Sequence, residues 1–232
     1  MTQPVVIVTG GGRGIGRATC ARFAAAGAQV VAAARTAEQL RQTQSQIEAS
    51  GGRCATVVTD LACPDDIEAM VGQTVDRFRR VDVLVNNAGL AVNETVEQMD
   101  AESFTGMHAV NVAGVFHACK AVWPTMKAQG GGVIVNVSSA SSFDPFPGYA
   151  TYGASKAWVN AFTRGLAEEG RAHRIRVFAV APAAVETQTL RSRFPDFPRE
   201  KTLDPADVAE MIFTLAQPAC TYATGLVVTV KK

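Results

Sequence analysis

Seven short runs rich in β-branched and small apolar residues recur along the chain, each separated from the next by a stretch with helical or turn character. They are Val5–Thr9, Gln29–Ala33, Thr56–Thr59, Val81–Asn86, Val133–Val137, Arg176–Val180 and Leu226–Val230. Several are apolar on consecutive residues, the pattern of strands covered on both faces. Residues 36–50 predict a helix that starts with a capping box, Thr36 and Gln39, and stops at Gly51–Gly52. Residues 64–79 predict another, opened by Pro64 and two aspartates, with Ile67, Met70, Val71, Val75 and Phe78 on one face. Asp204–Pro205 opens a third, in which Val208, Ile212 and Leu215 share a face. Strand-helix alternation of this kind predicts one α/β domain over residues 1–232: a doubly wound sheet of about seven parallel strands with helices on both faces. Right-handed crossovers then gather the functional loops at the carboxyl ends of the strands. Residues 187–203 read as an irregular segment and are expected to form a mobile substrate lid.

Composition narrows the class. Apolar residues make up 47% of the 232 residues, enough for a core without disulfides or metals. The net charge is +1, from 22 basic and 21 acidic residues, so neither nucleic acid nor a membrane surface is an expected partner. The five cysteines, Cys20, Cys54, Cys63, Cys119 and Cys220, are widely spaced and odd in number, as reduced thiols would be. The three histidines, His108, His117 and His173, form no ligand motif, so no metal is expected. The N-terminus lacks the pattern of a signal peptide, and no apolar run approaches the ~20 residues of a membrane span. The expected location is the cytoplasm.

The first strand leads into Gly10–Gly11–Gly12–Arg13–Gly14–Ile15–Gly16, where a helix begins. Glycines permit a tight turn and close approach to a pyrophosphate, and the helix N-terminus presents free N–H groups. The spacing differs from the usual dinucleotide fingerprint and lacks the Lys-Ser/Thr ending of an ATP or GTP loop. The second strand runs out through Ala34, Arg35 and Thr36 with no acidic residue to hold a ribose diol. Arg35 and Arg13 suit a 2′-phosphate instead, which predicts NADP(H) rather than NAD(H).

Tyr152 and Lys156 stand one helical turn apart, on the same face. A free tyrosine has a pKa of about 10, and an ammonium ~4 Å away could lower it by ~3 units at an effective dielectric near 20. The fifth run ends at Ser138–Ser139, where a sheet of this type presents catalytic loops. The Ser139 hydroxyl is placed to bond a carbonyl oxygen that Tyr152 protonates. The fourth run ends at Asn86–Asn87–Ala88–Gly89, whose amides would brace either a cofactor or the sheet. Tyr149 is a rival acid, but position 153 is Gly, so it has no lysine partner.

Taken together, Thr9-Gly10-x-x-x-Gly14-x-Gly16, Asp60–Leu61, Asn86–Asn87–Ala88–Gly89, Asn111, Ser139 and Tyr152-x-x-x-Lys156 resemble the short-chain dehydrogenase/reductase family in its small single-domain, Rossmann-type form. The resemblance spans nearly the whole chain. It implies an NADP(H)-dependent oxidoreductase moving hydride between the nicotinamide and a small-molecule carbonyl or alcohol, with Tyr152 as general acid/base. It also implies that Lys156 binds the nicotinamide ribose and that Ser139 polarises the substrate oxygen. Asn111 would position a water linking Lys156 to solvent. Asp60 and Leu61 would line the adenine, and Val185 and Thr187, in the loop that starts at Pro182, would contact the carboxamide end. Ile15, Ala88 and Gly89 complete the implied cofactor set. Family members are commonly tetramers, so a homo-oligomer is expected, a tetramer or a dimer.

Three positions and the C-terminus depart from the family pattern: Ala183 follows Pro182 where glycine is usual, Phe178 replaces a frequent Asn, Ser142 replaces a common Gly, and the C-terminal Asp-Gly-Gly is missing. Phe143, Phe146, Tyr149, Leu190, Phe194 and Phe197 are expected to border the substrate pocket and would favour an apolar or aromatic ketone. Arg191, Arg193 and Arg199 would instead suit a carboxylate or an acyl carrier, as in a 3-oxoacyl-(acyl carrier protein) reductase. A non-catalytic dinucleotide-binding regulator is disfavoured by the complete Asn111, Ser139, Tyr152 and Lys156 set. An epimerase or dehydratase is disfavoured by the short lid.

Overall fold

The computed structural model of the chain describes residues 3–232. The elements in order are β1 (Val5–Thr9), α1 (Gly14–Ala25), β2 (Gln29–Ala34), α2 (Ala37–Ala49), β3 (Arg53–Val58), α3 (Pro64–Phe78), β4 (Val83–Asn86), α4 (Ala101–His108), α5 (Val115–Ala128), β5 (Gly132–Val137), α6 (Ala150–Arg171), β6 (Ile175–Pro182), α7 (Gln188–Arg193), α8 (Pro205–Ala216) and β7 (Val227–Val230). The strands form one parallel sheet in the order β3-β2-β1-β4-β5-β6-β7. This is the expected Rossmann-type doubly wound fold.

Consecutive apolar residues in the strands serve two cores, because alternate side chains point to opposite faces. Val6, Val8, Val30 and Ala32 join Phe23, Leu40, Ile47 and Ile212 under α1, α2 and α8. Ile7, Val31, Leu84 and Ile134 join Ile67, Met70, Val122 and Val159 under α3, α5 and α6. Phe178, the residue that departs from the family's Asn, is fully buried in the first of these cores. Truncating such a side chain costs about 3–5 kcal/mol.

Helix starts follow local chemistry only in part. The Asp204 side chain caps α8 by accepting from Ala206 N, and the Asp207 side chain accepts from Asp204 N in return. Thr36 does occupy the N-cap of α2, but its side chain makes no capping bond, so the capping box expected there does not form. Thr36 and Gln39 border the main cavity instead. Nor is the segment 187–203 wholly irregular: it carries α7 and a short 3₁₀ turn, Arg199–Lys201. It leaves and returns at one place, where Val185 bridges Leu203 and Glu186 N donates to Leu203 O at 2.9 Å. Among the described residues no helix is long and apolar enough to cross a membrane. All five cysteines are free thiols.

Strand order reverses between β1 and β4, whose outgoing connections run to opposite sides. The carboxyl ends of the strands therefore part at that point, and a crevice opens there.

Candidate active site

That crevice is a cavity of 860 Å³ running from the glycine turn, across the ends of β1, β4 and β5, to α7. A chamber of this size can enclose both a dinucleotide portion and a small substrate.

The glycine turn closes one end. Gly10 has φ +66°, and a Cβ there would lie 2.8 Å from Asn87 Nδ2 and 3.0 Å from Ala88 Cα. At Gly16, inside α1, a Cβ would fall 2.1 Å from the Gly10 carbonyl oxygen. The turn is fastened from several sides. Thr9 Oγ1 accepts from Asn87 N at 3.0 Å and Ala88 N at 3.1 Å, and Asn87 Nδ2 donates to Thr9 O at 2.9 Å. Thr43 Oγ1 donates to Gly11 O at 3.0 Å, and Arg17 Nε donates to Gly12 O at 3.1 Å. Asn87 belongs to the segment whose amides were expected to brace a cofactor or the sheet, whereas no motif marks Thr43 and Arg17, which act from other elements. Arg13 and Arg35 both border this end of the cavity, with Asp60 and Leu61 beside them.

Tyr152 and Lys156 lie on the first turns of α6, and Ser139 follows β5; all three border the other end. The Ser139 hydroxyl faces Tyr152 closely enough to lower the pKa of its phenol. Ser138 faces away, its hydroxyl donating to Lys156 O at 3.1 Å. The Lys156 ammonium donates to Val137 O at 2.8 Å and lies 6.0 Å from the centre of the Tyr152 ring. Burial pushes the phenol of Tyr152 up to about 12, against the lowering effect of Ser139. Burial also lowers Lys156, to about 8. The expected depression of the tyrosine by the lysine is therefore not seen in this arrangement. Desolvation is the largest influence on both groups, and the ammonium is turned toward a backbone carbonyl.

Asn111 lies behind this wall, on a π-helical turn, Ala109–Gly114, between α4 and α5. Such turns interrupt helices mostly where a side chain must be redirected. Asn111 Nδ2 donates to Leu90 O at 2.8 Å and to Ser155 Oγ at 3.0 Å, and its Oδ1 accepts from Leu90 N at 2.8 Å. A Cβ on Gly89 would lie 3.3 Å from Lys156 Nζ and 3.5 Å from Asn111 Oδ1, so this position is the neighbour of both side chains.

Asn86 is not at the cavity, a correction to its expected place among cofactor ligands. It is buried, its Nδ2 donating to Asn136 Oδ1 at 2.9 Å, while Asn136 Nδ2 donates to Thr163 Oγ1 at 2.9 Å. This ladder joins β4, β5 and α6, and the side chain points to the interior because its neighbours Val85 and Asn87 take the alternate direction. Gly16 also stands back from the cavity wall; its part is the close contact of α1 with the turn. Ala88, Gly89, Gly14, Ile15, Pro182, Val185 and Thr187 all border the cavity.

Of the aromatic residues, Phe146, Tyr149, Phe194 and Phe197 border the cavity, as does Leu190, whereas Phe143 does not. Phe146 stacks on Tyr149 with ring centres 4.4 Å apart, and Tyr149 meets Tyr152 edge-on at 5.3 Å. Arg193 borders the cavity and donates to Ala91 O. Arg191 is turned away: it pairs with Glu186 and donates to the carbonyls of Pro195 and Phe197.

The chain belongs to the short-chain dehydrogenase family, whose model matches residues 4–197. It is thus an oxidoreductase of the family that acts on CH–OH and C=O groups with a nicotinamide dinucleotide. The 3-oxoacyl-(acyl-carrier-protein) reductase FabG of Thermotoga maritima is 36% identical to it over 233 residues, covering 97% of this chain and 94% of that one. The 2-(R)-hydroxypropyl-CoM dehydrogenase of Xanthobacter autotrophicus is 35% identical over 235 residues, covering 95% and 94%. A crystal structure of an actinorhodin polyketide ketoreductase variant with NADPH matches with a TM-score of 0.94 at 30% identity, covering 100% of this chain and 98% of that one.

Proposed function

We propose that this protein reduces a ketone or aldehyde to the alcohol with NADPH, and that Tyr152 donates the proton. The observation that carries this reading is the meeting of Ser139, Tyr152 and Lys156 on one wall of a cavity whose far end is the glycine turn flanked by Arg13 and Arg35.

The residues present fit the cofactor. Gly10, Gly12 and Gly14 border the cavity without a side chain to fill it, and α1 starts there with unfilled N–H groups. Arg13 and Arg35 would hold the 2′-phosphate, and Asp60 and Leu61 would flank the adenine. Ala88 and Gly89 would lie along the middle of the molecule. Lys156 would bond the nicotinamide ribose, with Pro182, Val185 and Thr187 near the carboxamide. Bound there, the cofactor supplies the hydride.

The chain's own task is positioning and proton transfer. Ser139 offers a hydroxyl to the substrate oxygen beside Tyr152. A phenol pushed up to about 12 is protonated at neutral pH, the state that a proton donor needs. Asn111 has spent both Nδ2 hydrogens on Leu90 and Ser155, so it serves first as a brace; a water relay toward Lys156 would use the remaining lone pair of Oδ1. The aromatic wall of Phe146, Tyr149 and Phe194 favours an apolar or aromatic carbonyl compound. The segment 187–203 would act as a lid over it, and the protein would work as a homo-oligomer, a tetramer or a dimer, in the cytoplasm.

A 3-oxoacyl thioester is the second reading, favoured by the likeness to the Thermotoga maritima reductase. Oxidation of NADPH and of NADH, followed with a panel of ketones, aldehydes and 3-oxoacyl thioesters, tests both. Turnover of aryl or branched ketones with NADPH supports the first. Preference for thioesters supports the second, and preference for NADH refutes the cofactor assignment.

A further inference from the structure

Two polar residues behind the catalytic wall are joined to it by hydrogen bonds in series. Asn160 lies on α6, one turn beyond Lys156, and is 4% exposed. Its Nδ2 donates to Ser142 Oγ at 2.8 Å. Ser142 Oγ in turn donates to the Ser139 carbonyl oxygen at 2.6 Å, which also accepts from Ser142 N at 3.0 Å. We propose that Asn160 and Ser142 are positioning residues that fix the Ser139 hydroxyl against the Tyr152 phenol. The proposal deepens the reading of Ser139 and Tyr152 given above and rests on it for their catalytic roles.

Ser139 needs such support. It is the N-cap of a single 3₁₀ turn, Ala140–Ser142, and a lone turn of this kind has little stability of its own. Its hydroxyl is oriented locally only by accepting from Ser141 N at 3.2 Å. The turn is held to α6 at two places. One is bare backbone: a Cβ at Gly153 would lie 2.5 Å from Ser141 O. The other is the series from Asn160 through Ser142.

The Asn160 amide is an expensive group to keep there. Its Oδ1 is buried with no hydrogen-bond partner, and leaving a buried acceptor unsatisfied is destabilising. An apolar side chain would fill the same space without that cost. What the amide supplies and an apolar residue cannot is the donor that holds the Ser142 hydroxyl, which can then direct its own proton to Ser139.

The test reads Tyr152 directly. Three tyrosines are present, so Tyr149→Phe with Tyr222→Phe leaves Tyr152 alone, and ¹³Cζ-tyrosine NMR follows its titration. The other groups facing Tyr152 are the Arg193 guanidinium and the Lys156 ammonium, and both stay in place in every variant. The Ser139 hydroxyl lowers the Tyr152 pKa, so loosening Ser139 moves it upward. Ser142→Ala and Asn160→Leu are each expected to raise it, and the double variant no further than either alone, because the two act in series. Ser142→Thr keeps a hydroxyl and is expected to restore the parent titration. In the otherwise native protein, kcat with the best carbonyl substrate should fall about tenfold in Ser142→Ala while affinity for NADPH holds. An unchanged Tyr152 titration in both single variants overturns the proposal, even if melting temperature drops. So does a Ser142→Thr protein that titrates like Ser142→Ala. Failure of the native protein to reduce any carbonyl sinks the functional reading, yet leaves the titration to decide this one.

Discussion

Arg13 Nη1 donates to Gln188 Oε1 at 3.0 Å, which joins the glycine turn to the first residue of α7 across 175 positions of sequence. A Cβ on Gly14 would lie 3.2 Å from Thr187 Cγ2, so the two segments also touch through carbon. The glycine-turn end of the cavity and the start of the segment 187–203 are therefore one surface. A guanidinium at this junction has a soft, neutral partner that an anion can displace.

Arg35 is the cleaner probe of cofactor choice, because no other described bond depends on it. Arg35→Ser is expected to lower kcat/KM with NADPH about 10- to 100-fold, the loss of one or two charge-assisted hydrogen bonds, and to leave NADH little changed. Steady-state kinetics with both cofactors checks this. Equal losses with both would show that Arg35 does not read the 2′-phosphate.

Tyr152→Phe removes the proton donor and little else. A drop in kcat of about 10²–10⁴-fold is expected, with NADPH affinity nearly intact by fluorescence titration. Near-normal turnover would end the proposed mechanism.

Burial of Lys156 makes stability depend on pH in a predictable direction. In the folded chain the ammonium loses its proton near 8, whereas an unfolded lysine keeps it to about 10.5. Between those values the unfolded state binds more protons, so stability contributed by this group rises with pH, by about 3 kcal/mol at most. Tyr152 acts oppositely at higher pH, between about 10 and 12, where the folded state keeps the proton. Denaturant unfolding of the cofactor-free protein should therefore show a gain above pH 8 that Lys156→Met abolishes. A Lys156→Met curve parallel to the native one would contradict the burial effect.

Gly16→Ala sets two effects against each other. Helix propensity favours alanine inside α1 by about 1 kcal/mol. The added carbon, however, would lie 2.1 Å from Gly10 O and 2.5 Å from Asn87 Nδ2, neither of which can retreat without opening the turn. Overpacking of this kind costs about 1–3 kcal/mol, so a net loss of stability and weaker dinucleotide binding are expected. A stabilised protein that still binds NADPH normally would show the turn to be more compliant than its geometry indicates.

The sheet was readable because burial on both faces leaves a local mark: Val5–Thr9 is apolar at nearly every position and needs no distant residue to declare itself. The Asp204–Pro205 helix start was equally plain, its cap being made within four residues. Thr36 misled for the opposite reason. Its spacing to Gln39 suits a capping box, but both border the cavity and no capping bond forms. The end of β4 is a similar case: Asn86 and Asn87 look alike in sequence, yet one enters the core and the other fastens the glycine turn.

Spacing along the chain alone determined that Tyr152 and Lys156 share a helix face and that glycines crowd the turn after the first strand, since helical and turn geometry are local. The burial of the phenol and the turning of the ammonium to the Val137 carbonyl were decided only when α6 packed against β5. So were the support of Ser139 by Ser142 and Asn160 and the meeting of Arg13 with Gln188. Desolvation and hydrogen bonding between remote segments depend on where whole elements come to rest, and no short stretch of residues carries that information.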